Sequence, residues 1–152
     1  MSDSLVQRTR DYYNSDDADR FYFEIWGGED IHIGLYQSPE EPIATASHRT
    51  VATMASMLPP LDASTRVLDL GSGYGGSARH LAKTTGCHVT CLNLSETQNA
   101  RNRELTAAAG LDHLVTVIDG SFEDLPFPDA SFDIAWSQDA FLHSSRRHRI
   151  FE

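Results

Sequence analysis

The run Val67-Leu68-Asp69-Leu70-Gly71-Ser72-Gly73-Tyr74-Gly75-Gly76 limits what this chain can fold into more than any other stretch. Val67, Leu68 and Leu70 read as the end of a buried strand, in the near-continuous apolar style of a parallel sheet. The glycines let the backbone turn tightly and approach a ligand with no Cβ in the way. Ser77 to Lys83 reads as the helix that follows, so its N-terminus and its unpaired N–H groups point at that ligand. Strand, glycine turn and helix make the first half of a nucleotide-binding βαβ unit.

Gly71-x-Gly73-x-x-Gly76 satisfies the dinucleotide fingerprint, a weak match by itself. Two details point away from NAD. Asp69 puts a carboxylate at the tip of the strand, where a pyrophosphate is repelled and a cationic ligand end is attracted. Gly75 extends the run to Gly-x-Gly-x-Gly. Asp-x-Gly-x-Gly-x-Gly resembles motif I of the Rossmann-like S-adenosylmethionine methyltransferases. The resemblance implies that Gly71, Gly73 and Gly75 pass close to the amino-acid end of the methyl donor, and that Asp69 bonds its ammonium directly or through water. The bland alternative is a glycine turn that only joins strand to helix.

At 152 residues the chain suits one domain, and its 40% hydrophobic content is enough for a packed core. No apolar run approaches the ~20 residues of a membrane span, and no basic-then-apolar leader opens the chain, so a cytoplasmic protein is expected. Cys87 and Cys91 flank one short apolar segment and read as reduced core thiols. His88 between them has no second ligand pair, so no metal is expected. A formal charge of −10 argues against nucleic acid as a partner. The only lysine is Lys83. Such a surface belongs to a protein of a salty cytoplasm or to an ordinary acidic one; a melting temperature unchanged by molar salt decides for the second.

In chain order, Ser4 to Asp19 reads as polar and helical at its start, and carries Tyr12-Tyr13. Phe21-Tyr22-Phe23-Glu24-Ile25-Trp26 is an aromatic cluster closed by Gly27-Gly28. It serves as a helix face on the core or as a lid whose rings, Tyr22 and Trp26 among them, hold an ammonium at ~0.5–2 kcal/mol each. Glu29 to Tyr36 reads as irregular, Ile43 to Met57 as a helix covering the sheet, and Pro59-Pro60 as its stop. The second strand, 88–92, ends in Asn93-Leu94-Ser95, where a nucleotide-binding unit places its ribose contact; Asn93 can donate and accept toward sugar hydroxyls. Ser95 and Gln98 make a capping box for a helix from Glu96 to Ala109, ended by Gly110. Residues 114–118 form the third strand and 132–137 the fourth.

Asn-Leu-Ser-x-x-Gln also resembles the post-I motif of small-amine and lipid methyltransferases, which implies that Gln98 reaches the ribose beside Asn93 and Leu94. Many relatives carry Gly-Asp-Ala after the third strand, with the Asp on the adenine amino group. Here Ser121 and Phe122 stand at those positions. The backbone N–H of Phe122 and the face of its ring remain for the adenine, and Asp119 is a possible substitute set two residues early.

Two stretches sharpen the resemblance. Phe21 to Tyr36 and Trp136 to Ser144 look like the sarcosine and dimethylglycine N-methyltransferases of glycine betaine synthesis, an osmoprotective route. They are also similar to phosphoethanolamine methyltransferases, which share the pattern Ser137-x-Asp139-x-x-Leu142-His143. In those relatives a lid tyrosine pairs with the histidine. The resemblance therefore implies His143 as base, paired with Tyr12 or Tyr13, and Asp139 as its orienter or as the amine's partner. Gln138 stands where phosphoethanolamine enzymes carry arginine, which weakens a phosphate-bearing substrate.

The expected fold is α/β: a Rossmann-like methyltransferase sheet with helices on both faces, residues 1–42 forming a substrate-capping lid over 43–152. The family's sheet has about seven strands and four are visible, so the chain reads as truncated after the fourth. The expected cofactor is S-adenosyl-L-methionine, leaving as S-adenosylhomocysteine, with a small amine as substrate and no membrane partner. The family is monomeric, and open strand edges on a shortened chain invite pairing.

Overall fold

A computed structural model describes residues 2–152. Strands β1 (Arg66–Leu70), β2 (His88–Asn93), β3 (Val115–Asp119) and β4 (Ile134–Trp136) form one parallel sheet in the order β3-β2-β1-β4. Val67 lies opposite Val89 on one side and Ile134 on the other. The chain thus builds outward from β1 through β2 to β3, then returns to lay β4 on the far side of β1. That reversal is a topological switch point, and in open α/β sheets the ligand crevice lies outside the carboxyl ends of the strands there. The turn after β1 and the loop after β4 are tied across it: Ser137 Oγ donates to the Leu70 carbonyl at 2.8 Å.

Successive strand side chains alternate between faces. Val67, Val89, Cys91, Val115 and Trp136 form one face, packed with Val51 of helix α3 (Ile43–Ser56) and Ala78, Leu81 and Ala82 of helix α4 (Gly76–Thr85). Leu68, Leu70 and Leu92 form the other, met by Phe122, Phe127, Phe132 and Phe141. The short helix α6 (Arg147–Ile150) lies across from Leu68 on that side, following α5 (Glu96–Ala108) in chain order. Asp69 alternates with Leu68 and Leu70, so the strand carries its carboxylate into the apolar layer, where it is 2% exposed.

The N-terminal stretch is two helices, α1 (Ser2–Tyr13) and α2 (Asp16–Arg20). They separate at Asn14-Ser15 because Ser15 caps α2, its Oγ accepting from Ala18 N at 3.3 Å. A π-helical turn, Phe21–Trp26, continues from α2 and ends at Gly27 and Gly28, both with positive φ. The fourth strand pairs over fewer residues than the expected 132–137.

The start of α5 is where this stretch docks. Ser95 Oγ accepts from Gln98 N at 3.2 Å and caps the helix, and donates to Asn14 Oδ1 at 2.7 Å. Glu96 takes Arg10 and Asn14. The expected capping box closes on one side only: Gln98 Oε1 accepts from Asn93 Nδ2 at 3.1 Å instead of turning back to Ser95. Further along, Asp19 pairs with Arg101, whose guanidinium lies 4.2 Å above the Phe23 ring. Ser95→Ala removes both the cap and the tie to Asn14, and a loss of about 1–2 kcal/mol in urea unfolding is expected.

Candidate functional site

A cavity of about 310 Å³ opens at the carboxyl ends of β1, β2 and β4. Gly71 and Gly73 line it from the turn after β1; Asn93, Leu94, Ser95 and Gln98 from the end of β2 and the first turn of α5. Ser121, Phe122 and Glu123 follow β3, and Gln138, Asp139, Leu142 and His143 follow β4. The N-terminal segment closes the opposite side with Tyr13, Tyr22, Trp26, Ile31 and His32.

The glycine turn is needed for its shape. Gly71 has φ +79°, and a Cβ there would stand 2.3 Å from the Ala140 Cβ. The loop after β4 therefore approaches the turn as closely as atoms allow. Gly75 and Asp69, expected at the donor with Gly71 and Gly73, are not on the cavity wall. A Cβ on Gly75 would meet the Asn102 side chain of α5, so its freedom serves packing. Asp69 stands behind the turn, its Oδ2 without a partner among the described residues, and burial lifts its carboxyl to about 7. The turn stands between this carboxyl and the open cavity.

On the far side Tyr13 and His143 meet. Tyr13 Oη lies 2.9 Å from His143 Nε2, with the rings edge-on at 5.5 Å. Burial pushes the Tyr13 hydroxyl up and the His143 imidazole down, so His143 is neutral at neutral pH and able to take a proton. Tyr12 is elsewhere: it is 52% exposed, and its hydroxyl is 3.5 Å from that of Tyr22. Tyr22 and Trp26, four residues apart, continue the aromatic wall from Tyr13, with centroids 5.7 and 6.2 Å apart in sequence.

Asn93 and Gln98 reach the wall as a bonded pair, and Leu94 and Phe122 beside them are apolar. Ser121 turns into its own loop, accepting from Glu123 N at 3.1 Å. Asp119 is engaged by Asn99 at 2.7 Å and Arg103 at 3.1 Å and does not line the cavity. Gln138 is buried, with Nε2 unpartnered among the described residues. Sequence reasoning missed His32 and Glu123. His32 belongs to no motif, yet it is buried on the cavity wall. Glu123 is buried; burial pushes its carboxyl up, but bonds from Ser144 and Arg146 outweigh that and hold it low.

The site suits a nucleoside ligand with a cationic amino-acid end. A glycine turn admits close backbone approach, an amide pair and an aromatic ring follow along the strand ends, and an unpartnered carboxylate oxygen and amide nitrogen remain near the turn. Among the described residues no three metal-ligating side chains stand together, and no helix is long and apolar enough to cross a membrane.

Fold and site together define a nucleotide-binding α/β protein of the methyltransferase kind. Residues 68–152 match the family of the methyltransferase domain, and the chain belongs to that family. It is 62% identical over 152 residues to a glycine/sarcosine/dimethylglycine N-methyltransferase of Actinopolyspora halophila, all of this chain against 27% of that one. It is 56% identical over 148 residues to a sarcosine/dimethylglycine N-methyltransferase of Halorhodospira halochloris, 97% of this chain against 53% of that one. Among solved structures, a Galdieria sulphuraria protein described as a sarcosine dimethylglycine methyltransferase superposes with TM-score 0.82 at 48% identity, over 92% of this chain and 53% of that one. The chain thus spans about a quarter of the first relative's length and about half of the other two.

Proposed function

We propose that this chain binds S-adenosyl-L-methionine and methylates sarcosine, dimethylglycine or both toward glycine betaine. The observation that carries the reading is the Tyr13–His143 pair, which closes the N-terminal segment over the glycine turn in a chain so similar to enzymes of those names. Residues 1–42 act as the lid. Gly71 and Gly73 pass the amino-acid end of the donor, with Asp69 supplying negative charge from behind the turn. Asn93 and Gln98 hold the ribose, and Leu94 and Phe122 the adenine, with Ser121 and Gln138 at the margins.

When bound, the donor supplies an electrophilic sulfonium methyl group. The protein's part is positioning and proton removal. Holding an amine nitrogen at near-attack distance is worth up to ~7–11 kcal/mol. Tyr22 and Trp26 take a cationic amine against their faces, and Asp139 bonds it. The nitrogen must lose its proton before its lone pair can form the new N–C bond. His143, kept neutral by burial, receives that proton with Tyr13 as hydrogen-bond partner. Betaine formed in this way serves osmoprotection in the cytoplasm.

The test is calorimetry with S-adenosylmethionine, then transfer from it to glycine, sarcosine, dimethylglycine and phosphoethanolamine. Donor binding with transfer to sarcosine or dimethylglycine is expected. Absence of donor binding rejects the reading; transfer to phosphoethanolamine alone replaces its substrate; binding without transfer to any amine makes the chain a donor-binding module.

A further inference from the structure

We infer that His32 is a positioning residue, which sets the Asp139 carboxylate to receive the substrate amine. The inference rests on the amine-methylation reading and adds a second contact across the cavity, on a residue that no motif singled out.

His32 has one place to stand. Its N–H donates to Ser47 Oγ at 3.1 Å, and its carbonyl accepts from Ser47 Oγ and, at 3.3 Å, from Trp26 Nε1. The ring is buried on the cavity wall. Its Nε2 lies 3.4 Å from Ser77 Oγ in the first turn of α4, and its Nδ1 faces Asp139 Oδ2 at 3.5 Å. Burial pulls the imidazole down, against the raising effects of Asp30 and Asp139, so the ring is neutral and has one N–H to give. A serine hydroxyl can donate to Nε2; a carboxylate can only accept. Ser77 Oγ has one proton to give and also stands 3.5 Å from Gln138 Oε1. Given to His32 Nε2, that proton leaves the imidazole proton on Nδ1, which faces Asp139 at 3.5 Å and closes to a hydrogen bond only with a small shift.

Asp139 needs such a partner. Its φ is +54°, uncommon for a residue with a Cβ, and such poses persist where the surroundings fix them. Oδ2 accepts from Ile33 N at 3.1 Å and faces His32 beside it. With Oδ2 bonded to Ile33 N and approached by His32 Nδ1, the carboxylate is fixed from the N-terminal segment at the cavity wall. Asp139 and His143, four residues apart, are thus each joined to that segment, one through Ile33 N with His32 beside it and one through Tyr13. An amine between them has a carboxylate on one side and a neutral base on the other.

The experiment compares wild type, His32→Ala and His32→Asn, whose Nδ2 stands near the place of imidazole Nδ1. The alanine variant should raise the amine KM about tenfold, or ~1.4 kcal/mol, within reach of one charge-assisted bond. Its kcat and donor affinity should stay within about threefold, and the asparagine variant should recover most of the loss. Nitrogen-detected NMR of the imidazoles should show His32 carrying its proton on Nδ1, with that signal moving in Asp139→Asn. An unchanged amine KM in His32→Ala, or a proton on Nε2, overturns the inference while wild-type turnover leaves the function standing. A wild-type chain that binds and methylates no amine overturns both.

Discussion

Replacing His143 with alanine is expected to lower methyl transfer to sarcosine or dimethylglycine about 10²–10⁴-fold, the usual worth of a positioned acid–base group. Tyr13→Phe keeps the ring packed against Tyr22 and His143 and removes only the hydroxyl that sits 2.9 Å from Nε2. A fall of about tenfold is expected, the size of one neutral hydrogen bond. Tyr12→Phe should change turnover less than twofold, because its hydroxyl is exposed and, among the described residues, meets only Tyr22 at 3.5 Å. The contrast between neighbouring tyrosines separates a role in the site from general damage to α1. The pH profile gives a second check. Burial lowers the His143 imidazole below its ordinary 6.5, and a base must be unprotonated to act. Activity should therefore rise with pH through a midpoint below 6.5, and the alanine variant should lose that limb. Steady-state rates for the three variants across pH 5 to 9 decide the matter; equal losses from Tyr12→Phe and Tyr13→Phe would remove the pair from the mechanism.

The glycine turn could be read in advance because its geometry is written in residue type: only glycine meets Ala140 across Gly71 at positive φ. The four strands and their helices followed from runs of apolar residues and clear stops. The choice between Tyr12 and Tyr13 was not legible. Neighbours on a helix point about 100° apart, and which one faces the cavity is set by the seating of Asn14 and Ser95 on each other, more than eighty positions apart. His32 was hidden for a similar reason. It lies in an irregular loop with no periodicity, and its burial depends on Ser47 and Trp26 gripping its backbone. Gln98 carried two signals, a capping box and a ribose contact; its side chain does not turn back into the helix cap but bonds Asn93 on the cavity wall. Asp69 was expected at the ligand from its place before the glycines. Strand alternation turns it inward, so the motif marks a charge behind the turn.

Asp69→Asn is expected to stabilise the ligand-free protein at pH 8 while weakening its hold on the methyl donor. Burial raises the folded carboxyl from 3.8 to about 7. Between those values the unfolded chain releases a proton that the folded chain keeps, so stability falls as pH rises from about 4 to about 7 and stays lowered above it. At ~1.36 kcal/mol per pKa unit this amounts to a few kcal/mol. Asparagine is neutral throughout, so variant and wild type should melt together near pH 4 and part by pH 8, the variant melting higher. A cationic donor reverses the balance. Once ionised, the carboxylate attracts an ammonium at the glycine turn, so wild-type affinity for S-adenosylmethionine should tighten as pH rises through 7. In the asparagine variant the affinity should stay flat and stand about tenfold or more weaker at pH 8. Thermal melts without ligand and calorimetry with it, run on both proteins at pH 5, 6.5 and 8, read the two effects separately. Higher stability with unchanged donor affinity would mean that the buried charge serves some end other than the donor, and that its ammonium lies beyond the reach of Asp69.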